Sequence, residues 1–230
     1  MVITGTMDPT TVAAMVRTVC FSGAHRAYDP ATTLAVAGTS TFNIGIEASL
    51  YKVPAAFTTA MSSMGGGSLA ALPVLPIPRL HIRKGLGPKA DLGLSAFFMG
   101  STFRFYGGDL KFALTQPEEG PHLSFRYALS YSFLSLAGGW THFPQLVLGR
   151  HFSFANPYIA VGGQYVAGTV SIVADASTPV ILEDSATGMA LVVFGGIEFN
   201  IPAINMMIQI EGGYHSYGMP SMGLKLGVKL

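Results

Sequence analysis

Arg79, His81 and Arg83 alternate with Leu80 and Ile82. A β-strand turns successive side chains to opposite faces, so two guanidinium groups and an imidazole would share one face. Asp91 on the following strand and Glu47 on the preceding one would stand opposite them. Two chemistries fit. One is a basic constriction that guides anions or lipid head groups; the other is a network of paired charges that fills and stiffens a narrow lumen. The second suits a small barrel, whose interior is commonly filled by side chains. Asp109, Lys111, Arg126, Glu198, Glu211 and Lys225 extend the same mixed-sign set. An uncompensated charge inside would be costly, which predicts pairing of Asp109 with Arg126 and of Glu211 with Lys225.

Other chemistries are poorly served. His142 and His215-Ser216 fall near expected strand ends, and Asp175, Glu183 and Asp184 fall in an expected loop, but their spacing matches no hydrolytic motif. The run Met64-Gly65-Gly66-Gly67-Ser68 lacks the lysine and the strand-to-helix setting of a phosphate loop. The histidines lack metal-ligand spacing. The expectation is therefore a protein without catalytic residues, cofactor or metal. A net charge of +1 gives no field for nucleic acid, and no basic stripe with interleaved aromatics is present. Cys20 stands alone, cannot form an internal disulfide, and reads as a small buried apolar residue.

The elements that must hold these charges follow from composition and alternation. Half of the 230 residues are hydrophobic and 11% are charged, with a mean hydropathy of +0.46. That is too oily for an ordinary soluble domain. No run of about 18 apolar residues offers a membrane-spanning helix, and the alternative that satisfies every backbone group in lipid is a closed barrel. Thr41 to Lys52 shows the pattern: Phe42, Ile44, Ile46, Ala48 and Leu50 on one face, Asn43, Gly45, Glu47, Ser49 and Tyr51 on the other. Similar alternation runs over 123–133, 206–215 and 222–230, and further strands are expected at 76–85, 90–99, 103–114, 137–152, 158–170 and 189–200. This makes an all-β transmembrane antiparallel β-barrel of about ten strands. Pro144 should mark a bulge or the barrel rim, because it has no amide to give to a ladder. Trp140 and Tyr106, Tyr127, Tyr131, Tyr158, Tyr165, Tyr214 and Tyr217 could supply aromatic girdles at both membrane interfaces.

The two longest gaps, 53–75 and 171–188, follow the first and seventh strands and so lie at one end, as extracellular loops do. That parity puts the C-terminus, with residues 1–40, at the opposite, periplasmic end. Asp8-Pro9-Thr10 reads as a helix start, and Val12, Met15, Val16 and Val19 form an apolar stripe at helical spacing. The domain reading is a segment 1–40, docked in the periplasm or plugging the lumen, and a barrel 41–230.

The stretches TFNIGIEASL, LPIPRLHIRKGLGPKADLGLSAFF, YGGDLKFAL and LSFRYALSYS, from Thr41 through about Ser132, and more weakly NPYIAVGG, resemble an uncharacterised family of proteobacterial outer-membrane β-barrel proteins. The resemblance implies an exported barrel with an N-terminal extension in the outer membrane of a Gram-negative bacterium, the export signal being absent from this chain. It carries over no catalytic residue. Two functions are weighed: a passive pore or carrier for a small or amphiphilic solute, and a closed structural scaffold binding lipid and protein partners. Expected partners are outer-membrane lipids and proteins at the periplasmic side, and not nucleic acid.

Overall fold

The computed structural model describes residues 8–35, 42–63, 73–100, 102–134, 136–172 and 182–230. Ten strands form a closed antiparallel barrel: β1 (Phe42–Lys52), β2 (Val74–Gly87), β3 (Ala90–Met99), β4 (Phe103–Thr115), β5 (Pro121–Leu134), β6 (Ala137–Arg150), β7 (Ala155–Ile172), β8 (Leu182–Ile201), β9 (Met206–His215) and β10 (Met219–Lys229). Each strand pairs with its sequence neighbours, and β10 closes on β1 through Asn43↔Lys229 to Tyr51↔Ser221. Closure removes the unpaired sheet edges that lipid could not hydrate.

Alternation decides which side chains face out. Along β1 the even-numbered residues point outward, Ile46 being 67% exposed, while Asn43, Glu47 and Ser49 are fully buried. Phe125, Tyr127 and Leu129 on β5, Ile208 and Ile210 on β9, and Leu224 and Leu226 on β10 belong to the same outer face. Large apolar groups are outside and charges inside. That inversion is stable only where the surroundings are hydrocarbon.

The connections sort by length. One end, here called the turn end, has the links 88–89, 116–120, 151–154 and 202–205. The other, the loop end, carries 53–73 and 173–181 among its links. The first loop holds a helix that was not expected, α2 (Ala55–Ser63). Strand β8 begins at Leu182 rather than near 189 and pairs with β7 out to Ile172↔Leu182. Pro144 is neither at a bulge nor at a rim: it pairs with Tyr127 in the β5 ladder. On the β7 side the bridges at Phe143 and Pro144 lapse without a register shift. The shifts lie elsewhere, between Gly85 and Gly87 and between Ala113 and Thr115.

Helix α1 (Pro9–Gly23) starts as its sequence dictates. Asp8 caps it by accepting the Thr11 amide, and proline occupies the first turn, where no amide is needed. The Thr10 and Thr11 hydroxyls and that amide hold the exposed Asp8 carboxyl below the usual range. The position of the helix corrects an expectation. It does not sit at the turn end with the C-terminus but begins at the loop end and runs inward, packed on α2 and the inner faces of β5 to β8. From Ala24 the chain continues down the lumen to Leu34 at the turn end. Asp175, the glycine run 64–68, and residues 1–7 and 36–41 lie outside the described residues.

Candidate functional site

The lumen has two tiers, set by the residues that the strands turn inward. Near the loop end these are apolar: Tyr51, Leu75, Ile77, Phe105, Leu134, Val166, Val170 and Met219. Against them α1 lays Val12, Met15, Val16, Val19, Cys20 and Phe21, each at most 1% exposed. A helix suits this tier because its backbone hydrogen bonds are internal, so apolar walls need supply few partners. Arg17 reaches over the rim, its Nε donating to the Thr187 carbonyl at 3.1 Å, and Thr141 donates to the Cys20 carbonyl at 3.0 Å.

Nearer the turn end the walls carry the charges, and the chain is no longer helical. Its backbone groups need partners, and the wall supplies them. Arg79 donates to the Ala24 carbonyl at 2.9 Å, Lys225 to Ala27 at 3.4 Å, and Arg126 to Asp29 at 2.8 Å. Lys111 donates to Pro30 at 3.0 Å and to Thr32 at 2.7 Å. The Leu34 amide is received by Asp91 at 3.2 Å.

Side chains of the segment are held as firmly. Arg26 pairs with Glu211 at 2.5 Å, and the Tyr28 hydroxyl meets Ser49 Oγ at 2.6 Å. Asp29 contacts Lys111 and lies 3.5 Å from Arg126 and 3.6 Å from Arg83. The Thr32 hydroxyl bonds His122 Nδ1 at 2.8 Å, and Thr33 donates to the Pro88 carbonyl.

Glycines in the wall fit this content. A Cβ at Gly223 would overlap the Tyr28 ring; at Gly107 it would come within 2.6 Å of His25 Cβ, and at Gly188 within 2.8 Å of Arg17. The missing side chains are notches that receive particular groups of the segment.

One cluster has the composition of a reactive centre. His25 Nδ1 lies 2.7 Å from Ser95 Oγ and its Nε2 lies 2.6 Å from Asp109 Oδ1, with the His81 ring stacked on it at 5.6 Å. The donor atoms of His25, His81 and Asp109 lie within 4.8 Å of one another, close enough for one metal ion. The charges argue otherwise. Arg83 already grips both Asp109 oxygens, at 2.8 and 2.9 Å, and Arg126 stands 3.6 Å away. Both ring nitrogens of His25 are occupied, so a cation would have to displace existing bonds among positive neighbours. The arrangement pins the segment to β3 and β4.

All the charged positions singled out in the sequence lie buried on the inner wall: Glu47, Arg79, His81, Arg83, Asp91, Asp109, Lys111, Arg126, Glu198, Glu211 and Lys225. Asp109 does meet Arg126. Glu211 does not meet Lys225 in an ion pair; it takes Arg26 and the Tyr158 hydroxyl instead, because the segment enters between them. Asp91 pairs with Lys111 at 3.0 Å, and Glu198 with Lys229 at 3.0 Å.

His25, Arg26, Tyr28, Asp29 and Ser95 were missed. The signal was present, since His25-Arg26-Ala27-Tyr28-Asp29 is a dense polar run directly after the apolar helix stripe. His142 is not at a rim but on the outer wall, bonded to Tyr127 at 2.6 Å, while His215 is buried beside Phe21 and Tyr51. Tyr158 is likewise turned inward, and Tyr217 packs on Phe21, so neither belongs to a girdle. The outward Tyr106, Tyr131 and Trp140 form one cross-strand row in the loop-end half. A shallow depression of about 780 Å³ beside that row is lined by Leu80, Leu94, Gly108 and Leu129 and belongs to the outer, lipid-facing wall.

No family model and no curated protein matches this chain. Among solved structures it is similar to the N-terminal β-barrel domain of OprF from Pseudomonas aeruginosa, at 10% identity and a TM-score of 0.37 over 84% of this chain and 100% of that one. It is also similar to the outer membrane protein Omp33 of Acinetobacter baumannii, at 6% identity and a TM-score of 0.37 over 83% and 98%. A third is Ail, the attachment invasion locus protein of Yersinia pestis, at 14% identity and a TM-score of 0.32 over 83% and 96%. The likeness is one of barrel architecture, and nothing that those proteins bind is carried to this chain.

Proposed function

We propose that this chain is an outer-membrane barrel of a Gram-negative bacterium that works as a closed scaffold, its lumen occupied by its own residues 8–35. One observation carries the reading: the carbonyls of Ala24, Ala27, Asp29, Pro30 and Thr32 are each held by a lysine or arginine of the wall. A backbone satisfied in this way by buried side chains is a built interior, since each bond replaces water that the lumen would otherwise need.

The competing reading is a passive pore or carrier for a small or amphiphilic solute. It requires the segment to withdraw, which would leave Asp29, Asp109 and Glu211 facing rearranged partners. The apolar outer wall suits membrane lipid as its standing partner, and the turns suit protein contacts on the periplasmic side. The proposal includes no catalytic activity, no cofactor and no nucleic acid.

Planar-bilayer recording tests it on the intact chain and on a chain lacking residues 1–40, each checked for heat-modifiable gel mobility. The intact protein should pass no steady current, and the truncated barrel, if folded, should conduct. Steady current through the intact protein would sink the scaffold reading.

A further inference from the structure

We infer that the barrel carries its own segment 8–35 through the lumen with Asp8 at the loop end, on the opposite side of the membrane from the C-terminus and the turns. The inference rests on the reading that the segment occupies the lumen in the membrane-inserted protein, and it adds a direction.

The contacts fix that direction step by step. Asp8, Pro9 and Thr10 are exposed at the mouth. Arg17 then meets Thr187 and fills the notch at Gly188, and Val16 lies over Gly168, all in the loop-end parts of β7 and β8. Further along, Gly23 lies against Ser132 and Phe105, and His25 reaches Ser95 and Asp109 at mid-wall. Thr33 ends the descent on Pro88 and Gln116, both in turn-end connections.

Length agrees with a full crossing. Fifteen helical residues span about 22 Å at 1.5 Å per residue, and the non-helical stretch after Gly23 adds about 3 Å per residue where extended. Together these exceed the roughly 30 Å of a hydrocarbon core.

The exit is also shaped. Helix α2 places Phe57, Ala60 and Met61 in the same apolar cluster as Val12 and Met15, forming a collar at the mouth where α1 begins. A segment that merely dipped into the lumen and returned would leave its first residues beside Phe42 at the turn end. Here the two ends of the segment are at opposite mouths. Because barrel loops face outward from the cell and turns face the periplasm, the Asp8 end is the extracellular one.

Cysteine labelling on whole Gram-negative cells decides it, using full-length T10C and, separately, E118C in the β4–β5 connection. The unsubstituted protein, whose Cys20 is buried, supplies the blank. A membrane-impermeant maleimide polymer should shift the mass of T10C on intact cells and that of E118C only after lysis. Labelling of both variants on intact cells, labelling of both only after lysis, labelling in the reversed order, or no labelling of T10C in either condition would overturn the inference. If T10C lowers the yield of heat-modifiable protein, an epitope tag fused ahead of Met1 gives the same decision: antibody binding on intact cells supports it, and binding only after lysis overturns it. The scaffold reading fails separately, through steady current in an intact protein whose T10C labelling is unchanged.

Discussion

The two halves of the lumen hide the same kind of object, a stretch of backbone, and do it by opposite means. Toward the loop end the backbone satisfies itself as α1, and the wall contributes apolar side chains such as Tyr51, Ile77 and Val166. Toward the turn end the backbone is opened out, and Arg79, Lys111, Arg126 and Lys225 bond its carbonyls. The first solution depends on area and fit, so its losses scale with volume removed. The second depends on a charge balance, in which Asp29 of the segment answers three cations of the wall. One deletion there leaves buried cations under-compensated, which costs more than a cavity of the same size.

Asp29→Ala is the sharpest way to break the lower half. It leaves Lys111, Arg83 and Arg126 short of their shared anion, and the expected loss is about 3–5 kcal/mol, read as a fall in the urea midpoint of heat-modifiable mobility. Met15→Ala attacks the upper half by volume alone. It should cost roughly 2–4 kcal/mol by the same measurement while leaving the lower tier in place, and a loss equal to or above that of Asp29→Ala would contradict the contrast. The smallest effect belongs to the mouth. Asp8→Ala removes the cap from an exposed helix end, so the Thr11 amide should exchange faster with little change in the unfolding midpoint. Acid should act in the same direction. The folded Asp8 carboxyl is held below its usual range, so its contribution is present above the unfolded value and is lost as pH falls through the folded one.

Much of this was legible from alternation. Phe42 to Lys52 and Leu123 to Phe133 show their two faces in sequence, because lipid and lumen select opposite side chains at every second residue. Alternation shows β8 only from about Met189, seven residues after its start at Leu182. Over Glu183 to Thr187 the hairpin carries polar residues on both faces, and alternation disappears. Helix α2 was overlooked although Pro54 precedes it and Phe57, Ala60 and Met61 recur at helical spacing. The descent of 24–34 has no periodicity to read, since its hydrogen bonds and ion pairs go to side chains from seven different strands. The partner of Glu211 could not be found by pairing wall residues with each other, because Arg26 comes from a part of the chain nearly two hundred positions away.

Tyr28 has a consequence for how the cylinder is sealed. Its hydroxyl bonds Ser49 of β1, and its ring fills the notch at Gly223 of β10. Ser49 and Gly223 face each other across the join between the first and last strands. The ring is thus a latch laid over that seam from within, and Lys225, two residues along β10, grips the adjacent Ala27 carbonyl. Parting β1 from β10 to let a molecule slip sideways into the bilayer would first require unseating the tyrosine. The segment that fills the bore therefore also bars the side door.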